Sequence, residues 1–273
     1  MLKSTVLVTG GTGLVGRSLS TLQSKYRDLI FIFLSSLDGD LRDIEVCRKL
    51  FKKHDPDYVI HLAANVGGLF KNMSKNVEMF EDNLLMNLNV VKVCYELSIV
   101  RLVSCLSTCV FPDSAKCPMS EKDLHRGPPH FSNEGYSYAK RMLEVQCRMY
   151  NEQYGCNFIN VVPTNIYGPY DNFSLEDGHV IPSLIHKCYN AKNENTDFVV
   201  KGSGKPLRQF IYSVDLAELI MKIMLEYTEK DTIILAPNKE DEVSIGDVSK
   251  CIARNFNYSK LKFDKKFTDG KYQ

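Results

Sequence analysis

Short, unbroken apolar runs alternate along this chain with longer segments of helical periodicity. Residues 5–8 and 29–34 are continuously apolar or β-branched, and 58–62, 102–106 and 159–162 are so except for His61, Ser104 and Asn160, as strands buried on both faces of a parallel sheet tend to be. Between them, residues up to about Lys25, then 43–53, 78–98 and 136 to about 154, repeat apolar positions at helical spacing. Strand and helix in strict alternation predict an α/β fold with a doubly wound parallel sheet. Beyond residue 170 the alternation loosens. A helix over 181–191, a short strand at Phe198-Val199-Val200 and a strand across 208–212 are expected there. Asp215 is expected to cap a strongly periodic helix (Leu216, Leu219, Ile220, Ile223, Met224), and a further helix to run over 244–256.

The first strand empties into Thr9-Gly10-Gly11-Thr12-Gly13-Leu14-Val15-Gly16, directly before a helix. Glycines at 10, 13 and 16 suit a tight strand-to-helix turn, close backbone approach to a pyrophosphate and close packing of helix on strand. The N–H groups opening the helix can then receive the phosphates. Residues 1–169 are therefore expected to form a dinucleotide-binding domain, with later segments contributing, and 170–273 a smaller substrate-binding region. The second strand ends in Ser35-Ser36-Leu37 with no carboxylate to hold a ribose 2′-hydroxyl. Repulsion of a 2′-phosphate is absent, so NADP(H) is expected over NAD, although no arginine takes the acid's place. Asp40, followed by Leu41, is a candidate receiver for the adenine amino group or a solvated loop acid. Ala63 and Ala64, small residues after the third strand, let the backbone lie against the cofactor. His61 is expected to be a packed strand residue. Asn83 and Asn87 share one face of the helix that follows.

The candidate chemistry centres on Tyr136 and Lys140, one helical turn apart on a single face. A tyrosine with a reference pKa of about 10 is a poor proton donor or acceptor at neutral pH. A lysine ammonium beside it favours the phenolate and allows proton exchange with a carbonyl or alcohol oxygen. Ser107, at the carboxyl edge of the fourth strand, can bind the same oxygen. The polar, proline-rich loop over 112–135 is expected to cover the site. Bulk properties add only exclusions. The 273 residues carry a net charge of +1 without a charged block, so neither nucleic acid nor a membrane surface is an expected partner. Nine scattered cysteines without metal spacing, and an N-terminal apolar run too short for a signal segment, point to a reduced, cytoplasmic protein.

Thr9-Gly-x-x-Gly-x-x-Gly, His61-Leu-Ala-Ala, Ser107 and Tyr136-x-x-x-Lys140 together resemble the extended short-chain dehydrogenase/reductases. Asn65-Val-Gly-Gly, Ser107-Thr-Cys-Val-Phe-Pro, Pro163-Thr-Asn-Ile-Tyr-Gly-Pro-Tyr-Asp-Asn-Phe, Asp177-Gly-His-Val-Ile-Pro and Gly202-Ser-Gly-Lys-Pro-Leu-Arg-Gln-Phe narrow the resemblance to the GDP-L-fucose synthase family. The resemblance implies an NADPH-dependent enzyme that epimerises a GDP-linked 4-keto-6-deoxy sugar at C3 and C5 and then reduces C4. It implies Cys109 and His179 as the base and acid of epimerisation, with His179 also beside the cofactor. Tyr136, Ser107 and Lys140 then act at the C4 oxygen. Pro163, Thr164, Asn165 and Ile166 line the cofactor, and Lys187, Arg208 and Asp269 bind the substrate. A homodimer through the helices following Glu78 and Tyr136 is also implied.

The chain departs from that family in three places. Lys201 occupies the substrate-binding position where the family usually carries tryptophan, and the chain contains no tryptophan. Leu37 stands where a basic residue would help hold a 2′-phosphate. The sequence stops at Gln273, where members of the family continue, so the substrate region is expected to be incomplete. Two other readings fit part of the pattern. An epimerase or dehydratase that recycles bound NAD shares the fold, but Cys109, His179 and the missing acid after the second strand speak against it. A catalytically weak, truncated NADP-binding regulatory protein would keep the glycine turn without the turnover.

Overall fold

The structure, a computed structural model, describes residues 3–267 and residue 269. Residues 1, 2, 268 and 270–273, which include both chain ends quoted above, lie outside the described residues. The chain opens with β1 (Ser4–Thr9), α1 (Leu14–Thr21), β2 (Leu29–Leu34), α2 (Ile44–His54) and β3 (Tyr58–His61). There follow α3 (Leu69–Ser74), α4 (Asn76–Glu96), β4 (Arg101–Cys105), α5 (Glu134–Tyr154), β5 (Phe158–Pro163) and β6 (Asn165–Tyr167). The remainder comprises α6 (Val180–Asn193), β7 (Phe198–Lys201), β8 (Leu207–Arg208), β9 (Phe210–Tyr212) and α7 (Ser213–Glu226). It closes with β10 (Ile233–Leu235), β11 (Val243–Ser244), α8 (Ile245–Asn255) and β12 (Leu261–Asp264).

A six-stranded parallel sheet, in the order β10-β5-β4-β3-β1-β2, is the frame. Its strands are mostly apolar because alternate residues serve opposite cores, with Thr9, His61, Ser104 and Asn160 as buried polar exceptions. Leu7, Val59, Leu102 and Val162 join the layer of α2, α4 and α5, whereas Val8, Ile60, Val103 and Val161 join the layer of α1 and α7. Each such side chain, fully removed from water, contributes about 1.5–3 kcal/mol. The strand order reverses between β1 and β3, which opens a crevice at their carboxyl ends, where open α/β sheets take ligands.

Beyond residue 170 the structure differs from the simple reading. The expected strand across 208–212 is broken at Gln209. β8 pairs antiparallel with β11, while β9 pairs parallel with β6, so one run serves two separate ladders. Asp215 is not the cap of α7; that position is Tyr212, and Asp215 lies in the first turn. The helix begins early because Ser213 is already packed, its hydroxyl accepting from Ser18 Oγ at 2.8 Å. β10, too short for periodicity to reveal, completes the large sheet beside β5. A third apolar cluster, built on Leu184, Cys188, Phe198 and Ile252, gathers α6, β7 and α8 away from that sheet.

Candidate active site

The glycine turn follows from contacts that no side chain could share. Gly10 adopts φ +70°, and a Cβ there would lie 2.7 Å from the backbone nitrogen of Ala63. This contact joins the ends of β1 and β3 at the reversal point of the sheet. A Cβ on Gly16 would meet the Gly11 and Gly10 carbonyl oxygens at 2.5 and 2.6 Å. Gly11 N–H donates to Leu34 O, tying the turn to the end of β2. Gly13 is the N-cap of α1, without a side-chain cap and without an acidic residue in the first turn. The turn thus presents helix N–H groups of Leu14 and Val15 to an anion, with Thr12 exposed beside them. Val15 is anchored in the core, and Leu14 reaches the Gly168 turn. The cradle fits a dinucleotide's pyrophosphate. Gly16→Ala is expected to cost about 1–3 kcal/mol through overpacking, read as a lower urea midpoint together with weaker NADPH binding. An unchanged midpoint and unchanged binding would mean the turn relaxes around the methyl.

At the adenosine end, Leu37 is 96% exposed and contributes no charge. Asp38, the acid nearest the strand end, turns back to accept from Ser35 N and Oγ at 2.7 and 2.8 Å, which holds its pKa down. The Asp40 carboxylate is taken by Arg42, whose Nε and Nη2 donate to it, so it is an ion-paired acid rather than a merely solvated one. Leu41 is a core residue. Arg42 also reaches Asp82 on α4 at 2.7 Å, and Asp82 accepts from Asn65 Nδ2 at 3.0 Å.

At the sheet's carboxyl edge, His61 is a packed strand residue as expected. Its Nδ1 is 2.7 Å from Thr9 Oγ1 and its Nε2 is 3.0 Å from Asn87 Oδ1. Burial, reinforced by the Lys140 charge, pushes its pKa down to about 3, so it stays neutral. Asn87 Nδ2 in turn donates to Ala139 O, pinning α4 and α5 to the sheet end. Asn83 clamps Asn65 through both backbone groups, at 2.9 Å each. Ala63 lies against the glycine turn, and Ala64 follows it half-buried.

Tyr136 and Lys140 lie on the buried face of α5, with the Lys140 Nζ 5.9 Å from the centre of the tyrosine ring. That Nζ donates to Cys105 O at 2.7 Å, at the end of β4. The net shift of the tyrosine is upward, away from the phenolate. Burial raises the phenol well above its ordinary value, the Cys109 and Cys105 thiols push the same way, and burial lowers Lys140. Ser107 caps the short 3-10 turn Thr108–Val110 that carries Cys109, accepting from Cys109 N at 3.4 Å. Burial raises the Cys109 thiol too, while the Ser107 and Ser137 hydroxyls and the Lys140 charge act in the opposite direction. Arg141 holds this turn in place. Its Nε donates to Val110 O at 2.6 Å and its Nη1 to Gly127 O at 2.7 Å, fastening the loop after β4 onto α5. Sequence reading passed over Arg141, which one turn of spacing from Ser137 places on the packed side of the helix.

Pro163 ends β5, and Thr164 N donates to Leu235 O at 3.0 Å. Asn165 bonds Gln209 O through both its backbone N and Nδ2, and Ile166 packs into the α1–α7 core. These residues line the carboxyl end of β5, next to β4 and Cys105. His179 is exposed as the N-cap of α6, with its side chain not used for capping. A Cβ on Gly68 would lie 3.4 Å from Asp177 O, so the loop carrying His179 rests against the Asn65–Gly68 strand exit.

Lys187, Lys201, Arg208 and Asp269 come from four separate segments and line one cavity of about 240 Å³, with Val180, Leu184 and Ile245 as apolar wall. Burial and the neighbouring Lys201 charge lower the pKa of Lys187; burial lowers Arg208. Asp269 is oriented by Ser203, accepting from its N at 2.6 Å and its Oγ at 2.5 Å. Lys201 lies 4.6 Å from the centre of the Phe267 ring, an aromatic contact at the position where the related family places tryptophan. Ser203 was missed from sequence; the Gly202-Ser203-Gly204 turn, with both glycines at positive φ, was the signal available.

Comparison with known proteins adds identity to this geometry. The sequence model of the "NAD dependent epimerase/dehydratase family" matches residues 6–236. The chain is 51% identical to a GDP-L-fucose synthase of Dictyostelium discoideum over 99% of its own length and 86% of the relative's. It is 30% identical to the GDP-L-fucose synthase of Escherichia coli, over 99% of this chain and 87% of that one. A gdp-l-fucose synthetase from Naegleria fowleri, solved bound to NADP, superposes with a TM-score of 0.96 at 49% identity, covering 100% of this chain and 84% of that one.

Proposed function

The chain belongs to the NAD dependent epimerase/dehydratase family and, within it, to the GDP-L-fucose synthases; we propose that it converts GDP-4-keto-6-deoxy-D-mannose to GDP-L-fucose. It is an NADP(H)-dependent oxidoreductase and epimerase. The observation that carries the reading is the pairing, at one sheet edge, of a buried phenol with a proton-transfer thiol. Cys109 lies within electrostatic reach of Tyr136, Ser107 and Lys140 at the carboxyl end of β4, which supports the reading. The relatives' names and the NADP-bound neighbour favour this reading over an NAD-recycling epimerase and over a regulatory cofactor-binding protein.

Gly10, Gly11, Thr12, Gly13, Leu14, Val15, Gly16, Ala63, Ala64, Lys140 and Pro163 to Ile166 would hold NADPH, with Asp40 and Leu41 at the adenine end. When bound there, the cofactor supplies the two electrons that reduce C4. Every other step is assigned to the chain's own groups. Tyr136 and Ser107 bind the C4 oxygen, which polarises the ketone and acidifies the C–H bonds on either side. Cys109 Sγ takes a proton from the flanking carbon on one face, and His179, exposed at the start of α6, returns one on the other. During reduction the Tyr136 O–H gives its proton to the C4 oxygen. Lys187, Lys201 and Arg208 balance the diphosphate charge, Arg208 with a planar fork suited to two oxygens, and Asp269 offers acceptor oxygens to the nucleotide.

The division of labour near residue 169, with α7 and β10 returning to the large sheet, is part of the same reading. So is a cytoplasmic setting, for which the nine free thiols speak. No helix among the described residues is long and apolar enough to cross a membrane. A homodimer through α4 and α5 is supported by Val77, Leu85, Leu88, Met142 and Met149, exposed on those helices. Light scattering is expected to give twice the chain mass of 31.1 kDa, and a monomer mass at micromolar concentration would overturn that part.

The direct test incubates the protein with GDP-4-keto-6-deoxymannose and NADPH and follows the NADPH absorbance. Stoichiometric oxidation with formation of GDP-L-fucose is expected. Bound but unoxidised NADPH would favour the regulatory reading, and epimerised ketone without net oxidation would favour the NAD-recycling one.

A further inference from the structure

We propose that Ser137 is a positioning residue for epimerisation, its hydroxyl donating a hydrogen bond to the Cys109 sulfur when that sulfur carries negative charge. The proposal rests on the assignment of Cys109 to proton abstraction and adds a residue on which that assignment is silent. Ser137 is fully buried, and its Oγ makes no hydrogen bond to a described protein group. A buried hydroxyl left in that condition costs free energy unless a later state supplies its acceptor. The acceptor is at hand, because α5 packs against the turn that carries Cys109. Ser137 and Arg141 share one face of α5, a turn apart, and Arg141 Nε holds Val110 O, the residue after Cys109, at 2.6 Å. The helix face that presents Ser137 is thereby fastened to the Cys109 turn.

The charged and titratable groups around the thiol are Lys140, Arg141 and Tyr136 from α5 and Cys105 from β4. Lys140 spends one N–H on Cys105 O, and Arg141 spends its Nε and Nη1 on Val110 O and Gly127 O. The cations therefore act on the sulfur mainly through charge, and Ser107 and Ser137 are the hydroxyls that favour its ionised form. In the step itself, the Cys109 thiolate forms an S–H bond with a proton from the carbon beside the ketone. The C–H electron pair moves into the enolate, whose oxygen Tyr136 and Ser107 bind. Once the sulfur is protonated it is a poor acceptor, and Ser137 returns to its unpaired resting state.

Ser137→Ala removes the hydroxyl and little volume. The rate of iodoacetamide alkylation at Cys109, resolved from the other cysteines by peptide mass spectrometry, is measured against pH on the full chain without substrate. The Cys109 profile is expected to move to higher pH, with alkylation at neutral pH about tenfold slower, the loss of one hydrogen bond to a charged acceptor. Ser137→Thr restores a hydroxyl and is expected to return the profile toward wild type. An unmoved profile in the alanine variant, or an equal shift in both variants, would overturn the proposal, the second by showing a packing effect. Because alkylation reads the thiol itself, a Cys109→Ser enzyme that still exchanges substrate protons would remove Cys109 from the mechanism while leaving this measurement intact.

Discussion

Tyr136→Phe is expected to slow NADPH oxidation by about 10²–10⁴-fold, the range general acid catalysis supplies, with NADPH affinity little changed. The ring stays in place, because Tyr136 is 9% exposed and packed on α5, so the substitution removes one oxygen and leaves the surrounding contacts. Reduction of a ketone needs a proton at the carbonyl oxygen, and the donor must hold that proton at working pH. Burial does this for Tyr136 by raising the phenol well above its usual pKa. On the proposed reading, Lys140, held by Cys105 O and itself lowered by burial, supplies positive charge to the site rather than stripping the tyrosine of its proton. The measurement is the steady-state fall in NADPH absorbance, with cofactor affinity determined separately by fluorescence. A phenylalanine variant that reduces at near the wild-type rate would transfer protonation of the C4 oxygen away from this residue.

The second large effect is on proton exchange. Cys109→Ser is expected to slow incorporation of solvent deuterium at the carbons beside the ketone by at least about 10²-fold, again on the scale of a lost acid–base group. A serine hydroxyl is far less acidic than a thiol, so almost none of it is ionised near neutrality. Cofactor binding is expected to persist, since Cys109 lies on the 3-10 turn beyond β4 and not in the glycine cradle. The sign of the pH dependence follows from burial, which raises the Cys109 thiol above its ordinary value. Below that raised pKa the reactive thiolate fraction grows about tenfold per pH unit. Wild-type deuterium incorporation should therefore climb with pH through and above the usual thiol range, and the serine variant should lose that climb. A flat wild-type profile, or unchanged exchange in the variant, would count against a thiolate base.

Much of this was legible in the sequence, and the exceptions share a cause. The five strands of the main sheet found from sequence were readable because burial on both faces writes a short run that is mostly apolar, broken only by single polar residues such as His61, Ser104 and Asn160. β10 was not, since a three-residue strand is shorter than any period it could display. The run from Arg208 to Tyr212 looked like a single strand because its local pattern says nothing about which partner each end will meet. Asp215 looked like a cap because aspartate is a good one, yet the packing of Ser213 against Ser18 started the helix earlier.

Sequence alone determined that a glycine turn joins β1 to α1, since glycines at 10, 13 and 16 sit between an apolar run and a helical segment. It also set Tyr136 and Lys140 on one helical face, because helical spacing requires it. Tertiary structure decided what those groups are chemically. Burial raises the pKa of both the phenol and the thiol, through every element packed around them, which no local spacing encodes. Tertiary structure alone also gathered Lys187, Lys201, Arg208 and Asp269 from distant segments into one cavity, because their proximity is set by how α6, β7, β8 and the end of the chain pack together.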